Sequence, residues 1–281
     1  MAGALRSAGL QLRALPRLLR RGHGPLRARL GRLNERLVFV LGSPRSGTTF
    51  LARSIGTLPG FVDLGELTAH KAAIPELAGL PAEEAAPRIR RVLDSTRRIG
   101  LVAGLRAVEQ TPENVFLGEA LRLAFPAARF VHVVRDGRDV VCSLLDRGWL
   151  SAGRGGGDDA GLPYGATPRF WVEQERAEEF QRASDARRAA WAWRRYVGAA
   201  RGIDGALEVR YELLVEKPAE VAAEIACFLE TPPEPLARAL AAAARTDSVG
   251  RYRRELDREQ LDDVEDESGE LLRRLGYLQN V

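Results

Sequence analysis

The chain of 281 residues contains only two cysteines and three histidines. Cys142 and Cys227 are too few for a disulfide framework, and neither belongs to a C-x-x-C motif or a histidine cluster of the kind that binds a metal. Both cysteines lie in apolar stretches, which predicts that they are small core residues. No apolar run approaches the roughly 18 residues of a membrane-spanning helix. We therefore expect a cytoplasmic protein that requires no metal.

Lysine is also scarce. Lys71 and Lys217 are the only lysines, and the other 40 of the 42 basic residues are arginines. Eight of these arginines lie in residues 1–34, which contain no acidic residue. The rest of the chain has 34 basic and 38 acidic residues, so the basic character belongs to the N-terminal arm. This balance gives no support for nucleic-acid binding by the domain.

The basic arm, residues 1–34, interleaves leucine with arginine and is interrupted by proline and glycine. Three interpretations share this composition: a flexible extension, a mitochondrial transit peptide, and a helix lying on a membrane surface. Organelle import and peripheral membrane contact through the arm therefore both stay open, and no pattern in the sequence indicates an oligomeric state.

The most informative local pattern is an apolar run, Leu37 to Leu41, that leads into a glycine-containing loop and a helix start. Gly42 and Gly47 occupy the two glycine positions of the phosphate-binding loop G-x-x-x-x-G-K-[ST], and Thr49 occupies the last position. Such a loop presents backbone N–H groups and a helix N-terminus to an anion. We therefore predict phosphate binding here.

The lysine position of that motif is occupied by Thr48. Nucleoside-triphosphate sites use this lysine on the β- and γ-phosphates, so its absence argues against a kinase or an ATPase. Arg45, inside the loop, is the replacement cation to consider, because its planar guanidinium matches phosphate oxygens.

A second loop follows the apolar strand Arg129–Val134 and contains R-D-G-R-D. Arg135 comes directly after the strand, and Ser143 lies one helical turn beyond Asp139. Together Arg135 and Ser143 are able to hold a further phosphate by charge-assisted hydrogen bonds. Taken alone, R-D-G-R-D is equally compatible with a charged turn held by Arg–Asp pairs. His132 within the strand is predicted to be a core residue, as are the tryptophans at 171, 191 and 193.

The alternation of strands and helices predicts an α/β fold of the P-loop-like type, with a parallel central sheet and helices on both faces. Ligands of such sheets bind at the carboxyl ends of the strands, where both loops lie. We expect one domain over 35–281 with substrate-shaping insertions at about 67–108 and 151–168, the second containing a glycine-rich candidate lid. The other predicted elements are helices at 48–58, 111–124 and 169–201, a mostly helical stretch over 67–108, and strands at 61–66 and 206–211.

Taken together, S-P-R-S-G-T-T and R-D-G-R-D-V-V-C-S resemble the two nucleotide-binding motifs of the sulfotransferases that use 3′-phosphoadenosine 5′-phosphosulfate (PAPS). The resemblance spans about residues 37–277 and is strongest to the bacterial and tyrosylprotein-type branch. Supporting segments in the family's order are Glu109–Pro112, Val209–Val215 with Pro218, and Ser248–Tyr252.

The resemblance implies a role for each matching position. Glu66, in L-G-E, occupies the place of the general base. Tyr211 would lie near the adenine or ribose, and Ser248 with Arg251 would close over the phosphates. The 3′-phosphate would be held by Arg135 and Ser143, and the 5′-phosphosulfate by Arg45, Ser46, Gly47, Thr48 and Thr49. The family's reaction yields 3′-phosphoadenosine 5′-phosphate (PAP) and requires no metal.

One departure concerns Gln110, which stands where related enzymes commonly have a lysine that stabilises the sulfuryl group. Either Arg45 takes a larger share of that task or activity is reduced. His70, four residues after Glu66, is a second candidate base. Glu66-Leu67 lacks a following acid and arginine, which disfavours protein tyrosine as the acceptor.

The expected activity is therefore sulfuryl transfer to a hydroxyl of a small molecule, a carbohydrate or a lipid. Two alternatives stay open: a P-loop nucleotide kinase or NTPase, and a catalytically silent protein that binds PAPS or PAP.

Overall fold

The computed structural model describes residues 34–98, 104–151 and 170–279. The basic arm, except for its last residue, lies outside the described residues, as does most of the candidate lid at 151–168.

A single parallel sheet of five strands forms the centre of the described structure, in the order β2-β3-β1-β4-β5. This confirms the predicted α/β class. The strands are β1 (Asn34–Leu41), β2 (Phe61–Gly65), β3 (Arg106–Glu109), β4 (Arg129–Val134) and β5 (Leu207–Arg210).

The sheet is covered on both faces because successive side chains of a strand point to opposite sides. In β1, Phe39 and Leu41 pack into one hydrophobic cluster, whereas Val38 and Val40 pack into the other. All four side chains are fully buried. The continuous apolar run in the sequence is thus explained by a central strand without a solvent-exposed face.

The helices divide between these two clusters. Helices α1 and α8–α10 contribute to the cluster around Val38, and the other cluster receives α2–α7, α11 and α12. The bounds are α1 (Thr48–Ile55), α2 (Thr68–Leu77), α3 (Ala82–Arg98), α4 (Gly118–Ala124), α5 (Gly137–Leu145), α6 (Ala177–Arg182), α7 (Asp185–Arg201), α8 (Tyr211–Glu216), α9 (Pro218–Leu229), α10 (Pro233–Ala243), α11 (Tyr252–Glu255) and α12 (Arg258–Arg274), with 3₁₀ turns at Pro112–Leu117, Gln174–Arg176 and Thr246–Ser248.

The two predicted phosphate loops leave neighbouring strands. β1 pairs with β4 in register, Leu41 opposite His132. Helix α1, after β1, packs on one face of the sheet, and α5, after β4, packs on the other. A crevice therefore opens between the two loops at a topological switch point, the usual ligand position in open α/β sheets.

The sequence did not predict β3, because the stretch over 67–108 was expected to be mostly helical. The four residues of β3 begin and end with a charge, so they show neither an apolar run nor a clear alternation. The guanidinium of Arg106 donates to the carbonyl of Arg36 at 3.2 Å and to that of Leu229 at 2.5 Å. The carboxylate of Glu109 accepts backbone N–H groups at the other end of the strand. Because the charged side chains at both ends of β3 have hydrogen-bond partners, this segment forms a buried strand despite its charges.

Three predicted helices also differ. The helix expected over 48–58 ends at Ile55, and the one expected over 111–124 starts as a 3₁₀ turn, without a capping bond from Thr111. The helix expected over 169–201 is divided, because the hydroxyl of Ser184 accepts the N–H of Arg187 at 3.0 Å and caps a new helix.

Single-residue expectations are mostly confirmed. His132, Trp171, Trp191 and Trp193 are buried, and so is Cys142. The prediction for Cys227 is wrong, because this thiol lies on the exposed side of α9. None of the described helices is long and apolar enough to cross a membrane.

Candidate active site

The first loop depends on glycine at two positions. Gly47 has φ of 97°, and a Cβ atom there would lie 2.4 Å from Cδ2 of Tyr211. Gly42 would bring a Cβ within 2.6 Å of the carbonyl oxygen of Val133. Arg45 adopts a left-handed φ of 70°. The chain thus takes a tight, closely packed path from β1 into α1, with Gly47 as the N-cap of that helix.

Most polar side chains of this loop are buried. Ser46 and Thr48 are buried, and the Oγ atom of Ser46 has no hydrogen-bond partner within the part of the chain that the structure describes. A buried hydroxyl without a partner costs free energy unless a ligand satisfies it. The hydroxyl of Thr49 donates to Oε1 of Gln110 at 3.1 Å. This loop therefore fits an anionic ligand.

The second loop meets the first through two hydrogen bonds. Nε of Arg45 donates to Oγ of Ser143 at 3.0 Å. Nη1 of Arg135 donates to the carbonyl of Arg45 at 3.1 Å. Two segments about 90 residues apart in sequence therefore place two guanidinium groups and several hydroxyls around one crevice.

Arg135 is held from several sides and is almost fully buried. Its guanidinium lies 4.7 Å from the centre of the Tyr211 ring and 3.8 Å from the carboxylate of Asp139. It also donates to the carbonyl of Ser248. Nε1 of Trp193 fixes the backbone by donating to the carbonyl of Arg135 at 3.1 Å. A planar cation supported in this way is preorganised for a phosphate.

The segment around Ser248 covers the same crevice. The hydroxyls of Tyr211 and Ser248 are 2.8 Å apart. Asp139 anchors the segment by accepting the N–H of Gly250 at 2.7 Å and of Tyr252 at 3.0 Å. Burial raises the pKa of Asp139, and these two hydrogen bonds lower it.

Arg251 is oriented differently from its neighbours. Its guanidinium donates to Asp146 and Glu255, each at 2.7 Å. The hydrogen bond with Glu255 is the largest cause of the raised pKa of Arg251. The structure thus brings Tyr211, Ser248 and Arg135 together and leaves Arg251 in an ion-pair cluster at the edge.

Further hydrogen bonds stabilise the second loop. The carboxylate of Asp136 caps α5 by accepting the N–H of Arg138 at 3.0 Å and binds the guanidinium of the same residue in a bidentate pair. Glu212 accepts the N–H of Asp136 and the hydroxyl of Tyr277, both at 2.9 Å. Burial raises the pKa of Glu212. R-D-G-R-D, the candidate binding loop, is therefore also part of a buried structural network.

Glu66 follows β2 directly, at the same edge of the sheet as both loops. Its Oε2 lies 2.5 Å from Nζ of Lys71, and the two side chains are 32% and 4% exposed, respectively. Burial raises the pKa of Glu66, Lys71 lowers it, and the carboxylates of Glu113 and Glu109 raise it. Glu66 is thus a half-buried carboxylate with a buried cation against one oxygen.

A buried network connects Glu66 with the loops. The carboxylate of Glu109 accepts the N–H of Leu67 at 3.3 Å and Nδ2 of Asn114 at 2.5 Å, and Asn114 in turn contacts Nε2 of His70 at 2.6 Å. The N–H of Gln110 donates to the carbonyl of Gly65 at 3.4 Å. Because Gln110 also binds Thr49, the segment before Glu66 is tied to the first loop.

Sequence reasoning did not identify Lys71 or the anchoring role of Glu109. The available signal for Lys71 was its rarity and its place five residues after Glu66. The described residues contain no cluster of three or more histidine, cysteine or acidic side chains suited to a metal ion.

Comparison with known proteins agrees with this geometry. A profile of the Sulfotransferase family matches residues 86–235, more than half of the chain. The sulfotransferase domain from the curacin biosynthetic pathway superposes with a TM-score of 0.53 at 16% identity, covering 87% of this chain and 98% of that domain. Mouse sulfotransferase SULT7A1, complexed with PAP, gives a TM-score of 0.53 at 14% identity, covering 88% of this chain and 89% of the mouse chain. At these identities the structural likeness establishes the fold. No curated protein matches the chain.

Proposed function

This chain belongs to the sulfotransferase family, and we propose that it transfers a sulfuryl group from PAPS to a hydroxyl of an acceptor. The observation that carries the proposal is the junction of the two loops, where Arg45 binds Ser143 and Arg135 binds the backbone of Arg45. Two cationic groups around a phosphate-type loop suit a nucleotide with phosphates at two separate positions.

The residues present fit such a nucleotide. The buried, unpartnered hydroxyl of Ser46 and the glycine path at Gly47 support a 5′-phosphosulfate site on the first loop. The buried guanidinium of Arg135, with Ser143 beside Arg45, supports a 3′-phosphate site on the second. Tyr211 lies against both loops, which suits contact with the nucleoside.

PAPS supplies the sulfuryl group when bound. Glu66 accepts the proton of the acceptor hydroxyl as the acceptor oxygen bonds to sulfur. The bond between sulfur and the phosphate oxygen breaks, its electron pair stays on that oxygen, and PAP is released. Arg45 and the loop N–H groups stabilise the charge that develops on the departing phosphate. Placement of the acceptor oxygen in line with the sulfur and the departing phosphate oxygen also accelerates the transfer.

Glu66 is a better base candidate than His70. The carboxylate is 32% exposed at the edge of the site, so an acceptor is able to reach it. His70 is fully buried and its Nε2 is engaged with Asn114. The proposed task of His70 is therefore to position the 3₁₀ turn Pro112–Leu117, which contains Asn114.

A nucleotide kinase or NTPase is the competing function. A thermal-shift comparison separates the two, because a ligand that binds only the folded state raises Tm. We expect PAP to raise Tm well above the shift given by ATP with Mg²⁺ at equal concentration. A larger shift with ATP, accompanied by Mg²⁺-dependent hydrolysis, would contradict the proposal.

A silent PAPS- or PAP-binding protein would give the same thermal shift but no transfer. Transfer of labelled sulfate onto pools of phenols, carbohydrates, lipids and peptides separates these two cases. We expect labelled product in a non-peptide pool. Saturable PAP binding with no labelled product in any pool would favour the silent protein.

A further inference from the structure

The two lysines of the chain have opposite environments. Lys217 is 54% exposed and lies 3.3 Å from Glu220, which is 71% exposed. Lys71 is 4% exposed and lies 2.5 Å from Glu66. An exposed pair of the first kind contributes little to stability. Burial of an ammonium group is costly unless a well-placed anion compensates it, so the environment of Lys71 calls for an explanation.

Local structure fixes the direction of Lys71. The N–H of Lys71 donates to the carbonyl of Leu67 at 2.8 Å, within the first turn of α2. Leu67 in turn donates its N–H to the carboxylate of Glu109. The start of α2 is therefore fastened to the end of β3, and the lysine side chain is directed back toward Glu66.

Three carboxylates act on one another in this region. Glu66 comes from the end of β2, Glu109 from the end of β3, and Glu113 from the 3₁₀ turn that follows. Glu109 and Glu113 are buried. Burial disfavours the ionised form of Glu66, Lys71 favours it, and repulsion from Glu113 and Glu109 adds to the effect of burial. A base must be ionised to accept a proton, so the cation bears directly on the reaction.

We propose that Lys71 is a positioning residue for Glu66: its ammonium holds Oε2, keeps the carboxylate ionised, and leaves Oε1 for the acceptor hydroxyl. This inference rests on the proposed function. The proton from the acceptor goes to Glu66. A positive charge thus reaches the transfer region from α2, although the family's lysine position is occupied by the neutral Gln110.

Other titratable groups near the pair belong to the same network. His70, also on α2, contacts Asn114, and Tyr196 of α7 donates to Glu113 at 3.1 Å. Burial raises the pKa of Tyr196 well above its usual value, so this hydroxyl stays neutral over the working range. Glu109 and Glu113 are therefore the groups whose substitution must be compared with that of Lys71.

The first test is an NMR titration that does not depend on sulfuryl-transfer activity. Because the chain has only two lysines, labelling lysine with ¹³C at Cε gives two NMR signals, assigned with Lys217→Arg. We expect the Lys71 signal to shift as Glu66 is protonated, with a midpoint above 4.5, the ordinary pKa of that carboxyl. Glu66→Gln should remove this step and leave the Lys217 signal unchanged. An identical Lys71 titration in the wild type and Glu66→Gln would overturn the pairing.

The second test uses the pH dependence of sulfuryl transfer. In Lys71→Met the acidic limb of kcat/KM should move to higher pH by about 1 to 3 units, the usual effect of losing an opposite charge at this distance. Activity should fall about tenfold for each unit below the new limb and largely recover above it. Lys71→Arg should keep the original limb, and the matched control Lys217→Met should behave as the wild type.

A role for Lys71 in folding alone would give a different profile. It would lower activity equally at every pH, or lower the Tm without moving the limb, and either result would overturn the proposal. If Lys71→Met does not fold, Lys71→Gln and the NMR titration of the wild type decide the question. Absence of transfer by the wild type would refute the proposed function, whereas the NMR titration tests the Lys71–Glu66 pair independently.

Discussion

Replacement of Arg135 by glutamine should separate the two phosphate sites. The guanidinium is almost fully buried, stacks at 4.7 Å on Tyr211 and reaches Ser248 and the Arg45 backbone from the second loop. Glutamine keeps a donor but removes the charge and the fork. We expect binding of PAP to weaken strongly and binding of adenosine 5′-monophosphate, which lacks the 3′-phosphate, to change little.

The magnitude follows from the contacts available to Arg135. A hydrogen bond to a charged group contributes about 1.5–3 kcal/mol, so loss of a charged fork to a phosphate should cost about 3 kcal/mol. That free energy corresponds to a Kd for PAP about 100-fold higher. The Kd for the monophosphate should rise by less than about threefold, because its 5′-phosphate is assigned to the first loop.

Calorimetric titration of both nucleotides into each variant, at one fixed salt concentration, measures this difference. The matched control is Arg138→Gln, a second buried guanidinium of the same loop whose partners are Asp136 and the carbonyl of Tyr277. It should lower Tm without discriminating between the nucleotides. Equal losses for PAP and the monophosphate in Arg135→Gln would refute the 3′-phosphate assignment.

Three further predictions concern the base and the first loop. Gly47→Ala should weaken PAP binding at least tenfold, because the added Cβ would lie 2.4 Å from the Tyr211 ring. The control is Gly60→Ala, where φ is 80° and no atom lies within 4 Å of the added Cβ. This control should lower Tm through a similar backbone strain and leave PAP binding unchanged. Glu66→Gln should abolish transfer while PAP binding by calorimetry stays within about threefold, and wild-type-like turnover would exclude Glu66 as the base. Because burial raises the pKa of Glu66 and the base acts only when ionised, the acidic limb of kcat/KM should lie above pH 4.5. Glu113→Gln should move this limb to lower pH by removing a like charge. A limb that does not respond to Glu113→Gln would contradict this account.

Strong local signals in the sequence predicted the centre of the fold. The apolar runs of β1 and β4, each followed by a loop with glycine or charge, identified two strands of the parallel sheet and the edge at which ligands bind. The same signals placed both loops at that edge, and the structure adds that β1 and β4 are neighbours and that Arg45 contacts Ser143. Sequence reasoning succeeds here because buried central strands and glycine turns leave few alternatives.

The missed features depend on contacts between segments distant in sequence. β3 was not recognised because Arg106 and Glu109 find buried partners only after the chain has folded. Lys71 showed no motif, and its significance appears only when α2 turns it toward Glu66. The orientation of Arg251 is likewise set by Asp146, about 100 residues away. No local pattern encodes such pairings.

The most direct test of the account is transfer of ³⁵S-labelled sulfate from PAPS to a hydroxyl acceptor, measured for the wild type beside Glu66→Gln and Lys217→Met. We predict labelled acceptor and an equal amount of PAP from the wild type and Lys217→Met, and neither product from Glu66→Gln. Release of PAP without labelled acceptor in any pool, or equal transfer by Glu66→Gln, would contradict the central claim.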